Sequence, residues 1–460
     1  MKYYTLKPQY ALRGYNDIKY CLLDVKCKTS GGKFFPLSES QFGALELLTS
    51  GGISPDDALF PSRYRRLLQF ALDKGFVEEC GKEHRLNDFQ KYHATTANAV
   101  HSMLWSVTGN CNLNCRHCYV HGGTNPYGEP TLGQCREIIG QMLEANINMV
   151  GITGGEPLVR KDLWQIVDIL LENHIEIMQF FTNGMTLNGR FFDEMESRGI
   201  EPNYFMMSFD GVGFHDDLRG VKGAEKRAVD AMRLVKKRGY EIIVSMAVHE
   251  RNAEVLEETY RLLRDIGVSK LKLSPVMSVG NWQNQPDKNI DPFILYDRFL
   301  ELLKLYRDDG MPIELAMGGF FNNNKGRVYS PFTDGCGNEC RCKDTLCEPV
   351  RRFPYLLPNG KLLPCITMSG TEIETIAPNI FDEGQSIEKI LTDSPINTYM
   401  DYTYKKLFEE NKECAECEHR YRCSGCRGYA LANGGYFAKD PYACAFYKGG
   451  YEKKIKELFE

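Results

Sequence analysis

Between residues 100 and 290 the chain alternates short apolar runs with longer amphipathic stretches. The runs occupy 104–108, 148–152, 176–182, 204–209, 242–247 and 270–273. The stretches between them, such as 163–173 and 224–238, repeat apolar positions at helical spacing. Strand and helix signals in strict alternation predict βα units with a parallel sheet and right-handed crossovers. Six such units predict an α/β barrel or part of one, with function at the C-terminal ends of the strands.

The flanking regions read differently. Residues 1–95 carry apolar runs at 20–25 and 34–37, helical patterns at 40–49 and 62–74, and a run at 76–79. Two or three strands with a small helical bundle predict a winged-helix-like element. Its second helix contains Arg63, Arg65 and Arg66, which raises DNA binding. A net charge of -5 and a pI near 6.1 give no general attraction to nucleic acid or anionic membrane. Residues 291–332 read as a linker helix region, and 333–460 as a cysteine-rich domain. The first residues lack an apolar signal core, and no 18-residue apolar span occurs, so a cytoplasmic protein is expected.

In that compartment thiols stay reduced, so the 17 cysteines point to metal and not to disulfides. Four lie within 111–135 and ten within 336–444. Cys21, Cys27, Cys80 and Cys135 are expected as small buried hydrophobes. Cys111, Cys115 and Cys118 form a CxxxCxxC run directly after the first predicted strand. Three closely spaced thiolates can hold three corners of a four-iron, four-sulfur cube and leave one iron open. A zinc site is the alternative, although zinc is more usually signalled by paired CxxC knuckles.

Further motifs follow the predicted strands. They are Gly154-Gly155-Glu156-Pro157, Phe181-Thr182-Asn183-Gly184, Ser208-Phe209-Asp210-Gly211 with Arg219 shortly after, Asn252, and Val279-Gly280. With CxxxCxxC they resemble the radical S-adenosylmethionine (SAM) enzymes, which have a partial six-stranded barrel. Where the family has an aromatic residue before its third cysteine, this chain has His117, and Tyr119 follows Cys118. The resemblance implies a SAM-binding [4Fe-4S] cluster on Cys111, Cys115 and Cys118. It also implies SAM contacts from Tyr119, Gly154, Gly155, Glu156, Asn183, Ser208, Asp210, Arg219, Asn252 and Gly280. One electron from the cluster then cleaves SAM and releases a 5'-deoxyadenosyl radical.

The C-terminal third resembles the SPASM extension of that family. Cys347 precedes Gly360 and Cys365, and a Cys414-x2-Cys417-x5-Cys423-x2-Cys426 run precedes Cys444. The usual last interval is x3, so Cys426 departs from the pattern. The resemblance implies one auxiliary [4Fe-4S] cluster on Cys347, Cys365, Cys426 and an upstream cysteine, for which Cys336, Cys340 and Cys342 compete and Cys342 is favoured. It implies a second on Cys414, Cys417, Cys423 and Cys444. The expected activity is oxidative modification of a ribosomally made precursor peptide, through a thioether or carbon–carbon crosslink. The leader would be captured by strand addition to the N-terminal element, and a flavodoxin or ferredoxin would supply electrons. The competing readings are a peptide epimerase, a sulfatase-maturation-like or small-molecule SPASM dehydrogenase, and a zinc-binding winged-helix regulator. The catalytic acid or base cannot be named from sequence.

Overall fold

The computed structural model describes residues 2–26, 33–57, 60–285, 289–318, 320–324, 327–329, 342, 344–347, 353–423 and 425–460. Its centre is a mixed sheet in which β7 (Ser102–Ser106), β8 (Met149–Thr153), β9 (Glu176–Thr182), β10 (Tyr204–Ser208), β11 (Ile242–Val248), β12 (Lys270–Pro275) and β13 (Glu314–Met317) run parallel in chain order. All six sequence-predicted strands are present. The seventh, β13, lies in the segment expected to be a helical linker. That segment does contain a helix, Pro292–Asp308, which Asp291 caps through Phe293 N and Ile294 N. The helix then serves as one more crossover, and Leu315 and Met317 turn into the core beside Leu271 and Leu273. The described residues from 291 to 318 are therefore part of the barrel unit, extended by antiparallel β14 (Phe321–Asn324) and β15 (Arg327–Tyr329).

The outer face of the parallel strands and the inner faces of the helices share one core, which includes Trp105, Phe180, Phe205, Tyr260 and Tyr306. Helix starts are set locally. At Leu132–Glu144 the Thr131 side chain accepts from Gln134 N while the Gln134 side chain answers the cap's own N–H. Such a reciprocal cap is worth about 1 kcal/mol.

The C-terminal segment is joined to the opposite edge. β16 (Tyr355–Leu356) pairs parallel to β7, and β17 (Leu362–Leu363) closes a hairpin on it. Tyr355, Leu357, Leu363 and Met368 pack with Leu104, Met149 and Met178, filling the inner face of β7–β9. From β11 to β13 the inner face behaves otherwise. Alternate residues there are half-buried or exposed, while their neighbours are buried against the helices. The barrel is thus plugged on one side and open on the other.

Residues 2–94 build a separate unit. β1 (Tyr3–Leu6) pairs with β5 (Val77–Cys80), and β2 (Tyr10–Gly14), β3 (Cys21–Asp24), β4 (Lys33–Pro36) and β6 (His93–Ala94) form a four-stranded sheet in the order β4-β3-β2-β6. Helices Glu39–Glu46 and Ser62–Asp73 pack with them around Leu12, Leu22, Phe42 and Leu68. Six short strands replace the two or three expected, because β1, β2 and β6 are too short or too polar to read from sequence. The unit meets the barrel at the N-terminal ends of its strands. Asn146 Nδ2, in the loop before β8, donates to Gly14 O (3.2 Å) and His93 O (3.1 Å). His174, in the loop before β9, stacks on Phe89 with ring centroids 4.1 Å apart. Cys21 and Cys135 are fully buried, as expected; Cys80 is only half-buried, and Cys27 lies outside the described residues.

Candidate active site

Cys111, Cys115 and Cys118 lie on the loop that leaves β7, at the C-terminal end of the barrel. Gly122 marks where the Cys111 and Cys118 side chains approach one another. A Cβ there would stand 3.2 Å from Cys118 Sγ and 3.9 Å from Cys111 Sγ, and Gly122 N donates to Cys118 Sγ at 3.1 Å. Burial raises the Cys111 thiol to about 12 and also raises that of Cys115, where Arg219 opposes the shift.

The residues expected to touch the cofactor mostly hold this loop in place. Gly155 N donates to Thr108 O and Glu156 N to Asn110 O, both at 2.8 Å. A Cβ on Gly154 would lie 2.7 Å from Thr108 O, and one on Gly155 would lie 2.4 Å from Asn110 O. These glycines are needed because two backbones touch. Gly280, with φ +57, makes the same close approach to Cys118 O, and Asn281 next to it donates to Cys118 O (2.9 Å) and Cys115 O (3.0 Å).

The Glu156 carboxylate accepts from Leu158 N (3.1 Å), Thr182 Oγ1 (2.9 Å) and Asn183 N (2.7 Å). Burial outweighs these bonds and lifts its pKa to about 7. Asn183 then reaches back, its Nδ2 donating to Asn112 Oδ1 (2.8 Å) and lying 3.9 Å from Cys111 Sγ. Through these bonds Glu156 clamps the exit of β9.

Asp210 is wholly buried. Its Oδ2 lies 2.7 Å from Arg219 Nε and 3.6 Å from His117 Nε2, and its Oδ1 accepts from Ala247 N at 3.1 Å. Burial alone would raise its pKa; Arg219, His117 and His215 outweigh that and hold it near 2. Arg219 in turn directs Nη1 at Cys115 Sγ, 3.5 Å away. Asn252 donates both amide hydrogens, to Asp210 O (2.9 Å) and Ala247 O (2.8 Å). His117 faces Asp210. Ser208, at the end of β10, is half-buried and makes no side-chain hydrogen bond among the described residues. Tyr119 is half-buried, and burial first, then Tyr355, raises its hydroxyl well above the usual range. Gly122 and Asn281 escaped the sequence reading; the Gly122-Gly123 pair directly behind the cysteines was the available signal.

Residues 105–263 match the Radical SAM superfamily model. These residues are a radical SAM domain. The pre-heme d1 synthase of Dinoroseobacter shibae is 30% identical over 52% of this chain and 61% of its own length, short of two thirds of that relative. The AdoMet-dependent heme synthase of Methanosarcina barkeri is 23% identical over 76% of this chain and 98% of its own. The mycofactocin maturase MftC of Mycobacterium tuberculosis is 31% identical over 36% of this chain and 42% of its own. Among solved structures, Streptococcus suis SuiB bound to the precursor peptide SuiA superposes with a TM-score of 0.64 at 15% identity, over 96% of this chain and all of SuiB.

Beyond the radical SAM domain the C-terminal thiols fall into two groups. Cys426 is raised to about 12, by burial first and then by Asp440, Cys365 and Cys347. Cys423 is raised to about 12, by burial first and then by Cys444, with Asp440 and Cys414 adding to it. Cys414 feels Cys417 in the same way. Packing explains the grouping. Helix Arg427–Ala432 sits directly on the turn after Cys365, where a Cβ on Gly428 would lie 2.8 Å from Thr367 Oγ1. Buried Asp440 accepts from Cys426 N (2.7 Å) and caps helix Pro441–Lys448, which carries Cys444. Cys342 is half-buried; Cys336 and Cys340 lie outside the described residues. Among the described residues, no three His, Cys, Asp or Glu side chains are close enough to share a single metal ion. None of the described helices is long and apolar enough to cross a membrane.

Proposed function

We propose that this protein is a radical SAM enzyme that oxidatively modifies a ribosomally made precursor peptide, forming a crosslink. The observation that carries the peptide reading is the extent of the fold shared with SuiB. Coverage of 96% takes in most of residues 1–95 as well as the barrel and the C-terminal segment, and SuiB was solved with a precursor peptide bound. The heme synthase, by contrast, leaves about a quarter of this chain unmatched.

Cys111, Cys115 and Cys118 would hold the first [4Fe-4S] cluster, and the sulfur cradle at Gly122 suits it. When bound, that cluster and SAM supply reductive cleavage to a 5'-deoxyadenosyl radical. The chain's own part is positional. Glu156 and Asn183 pin the cysteine loop, Asp210 aims Arg219 at Cys115, and Tyr355 with its neighbours seals one side of the lumen from water. Ser208 and Tyr119 would be among the residues that contact SAM. Two auxiliary clusters, on Cys347, Cys365, Cys426 with Cys342 and on Cys414, Cys417, Cys423, Cys444, would take up the electron that oxidation leaves behind. A single zinc needs its thiolates about 2.3 Å from one centre; a cube asks for a wider set, because each thiolate binds a different iron.

Anaerobically reconstituted protein should carry about twelve irons, as three cubes require. Reduced, with SAM and the precursor encoded beside its gene, it should form 5'-deoxyadenosine and a product two mass units lighter. Deuterium uptake from solvent without that loss would mean epimerisation instead. A second reading, a small-molecule oxidation, rests on the 30% identity to pre-heme d1 synthase. It requires that removing residues 1–95 leave substrate binding unchanged; on the peptide reading, removal weakens precursor binding and spares SAM cleavage.

A further inference from the structure

Lys272 lies midway along β12, between Leu271 and Leu273, which are fully buried against the helices. Alternation along a strand therefore turns its side chain to the inner face. In register it is flanked by Ser245 on β11 and Ala316 on β13, and Ser208 on β10 completes the row. Small neighbours leave room around the ammonium. At strand spacing, Ser208 is about 10 Å away.

Two lysines share this wall, and they differ. Lys270 Nζ lies 3.5 Å from Glu314 Oε2 and donates to Asn322 Oδ1 at 3.3 Å, so its charge is answered. Lys272 is exposed to the lumen and makes no ion pair or hydrogen bond among the described residues. Its surroundings are nonetheless protein: burial and Lys270 lower its pKa, while the nearby Cys365 opposes the shift. Its ammonium is thus a cation on the open inner face of the barrel, near Cys365, without a partner among the described residues.

We propose that Lys272 binds a carboxylate of the substrate and so fixes which residue of it faces the radical site. This deepens the reading above and rests on it. The carboxylate could belong to an Asp or Glu side chain or to a chain terminus, and both offer the same charge-assisted hydrogen bond.

The test is protection of Lys272 from acetylation by an N-hydroxysulfosuccinimide ester, read by mass spectrometry of the anaerobic holoenzyme at fixed ionic strength. Four probes are compared: N-acetyl-aspartic acid amide, N-acetyl-asparagine amide, N-acetyl-alanine and N-acetyl-alanine amide. Either acid should slow acetylation of Lys272 about threefold or more relative to its amide, with no such effect at Lys270. Protection by the aspartate probe alone assigns a side chain; protection by N-acetyl-alanine alone assigns a terminus. Equal rates with all four overturn the proposal. The same preparation is assayed for 5'-deoxyadenosine. Protection without its formation would remove the radical reading and leave the anion site; formation without protection would remove only the site.

Discussion

The loop bearing Cys111, Cys115 and Cys118 and the segment bearing Cys414, Cys417, Cys423, Cys426 and Cys444 hold the same kind of ligand on different supports. The loop grows from a barrel strand, and backbone-to-backbone contacts at Gly155 and Gly280 fix it, with Glu156, Asn183 and Asn281 as clamps. The C-terminal thiols ride on short helices such as Lys412–Glu416 and Arg427–Ala432. Asp440 ties Cys426 N to helix Pro441–Lys448, and Glu413 pairs with Lys439 and Lys448. The lesson is that the barrel fixes its loop by direct backbone contact, whereas the C-terminal thiols are held by side-chain ties between short helices.

Disturbing the loop should break this contrast most sharply. Gly155→Val puts side-chain atoms where Asn110 O stands 2.4 Å from a Cβ. Iron should fall by about four per chain, and 5'-deoxyadenosine formation by about 100-fold or more, with the C-terminal clusters intact. Wild-type activity in this variant would mean that the loop is not rigid. Arg219→Met should come next. It strands buried Asp210 and costs about 3–5 kcal/mol in denaturant unfolding; a loss below about 1 kcal/mol would show the pair to be solvated.

Cys423→Ser should remove about four irons and lower the melting temperature of the C-terminal segment, while 5'-deoxyadenosine still forms. Loss of SAM cleavage here would erase the distinction between the two supports. The smallest effect concerns pH. The folded-state pKa of Glu156 is raised, chiefly by burial, from 4.5 to about 7. Its stabilising contribution is therefore full below pH 4.5 and is lost as pH rises through about 7. Melting temperature followed across that window should fall less steeply in Glu156→Gln; parallel curves would locate the titration elsewhere.

The strands β7–β12 were readable because each is an apolar run between helical patterns. β13 was not, since Glu314-Leu-Ala-Met is short and gains its identity only from pairing with β12. Gly154, Glu156 and Gly280 meet the cysteine loop and Asp210 reaches it through Arg219, but the partners of these residues within the chain were not legible in the motifs. Asn252 illustrates the reason: its two hydrogens go to carbonyls at positions 210 and 247, and only the folded chain brings those together.

Sequence by itself determined the alternation of strand and helix, the spacing of the thiols and the radical SAM signature, because periodicity and ligand spacing are local properties. Tertiary structure decided that the C-terminal hairpin plugs one side of the barrel, that Gly155, Glu156 and Gly280 brace the cysteine loop, and that Lys272 has no partner among the described residues. Those facts depend on strand register and on packing between segments up to some hundreds of residues apart, where no local pattern records the partner.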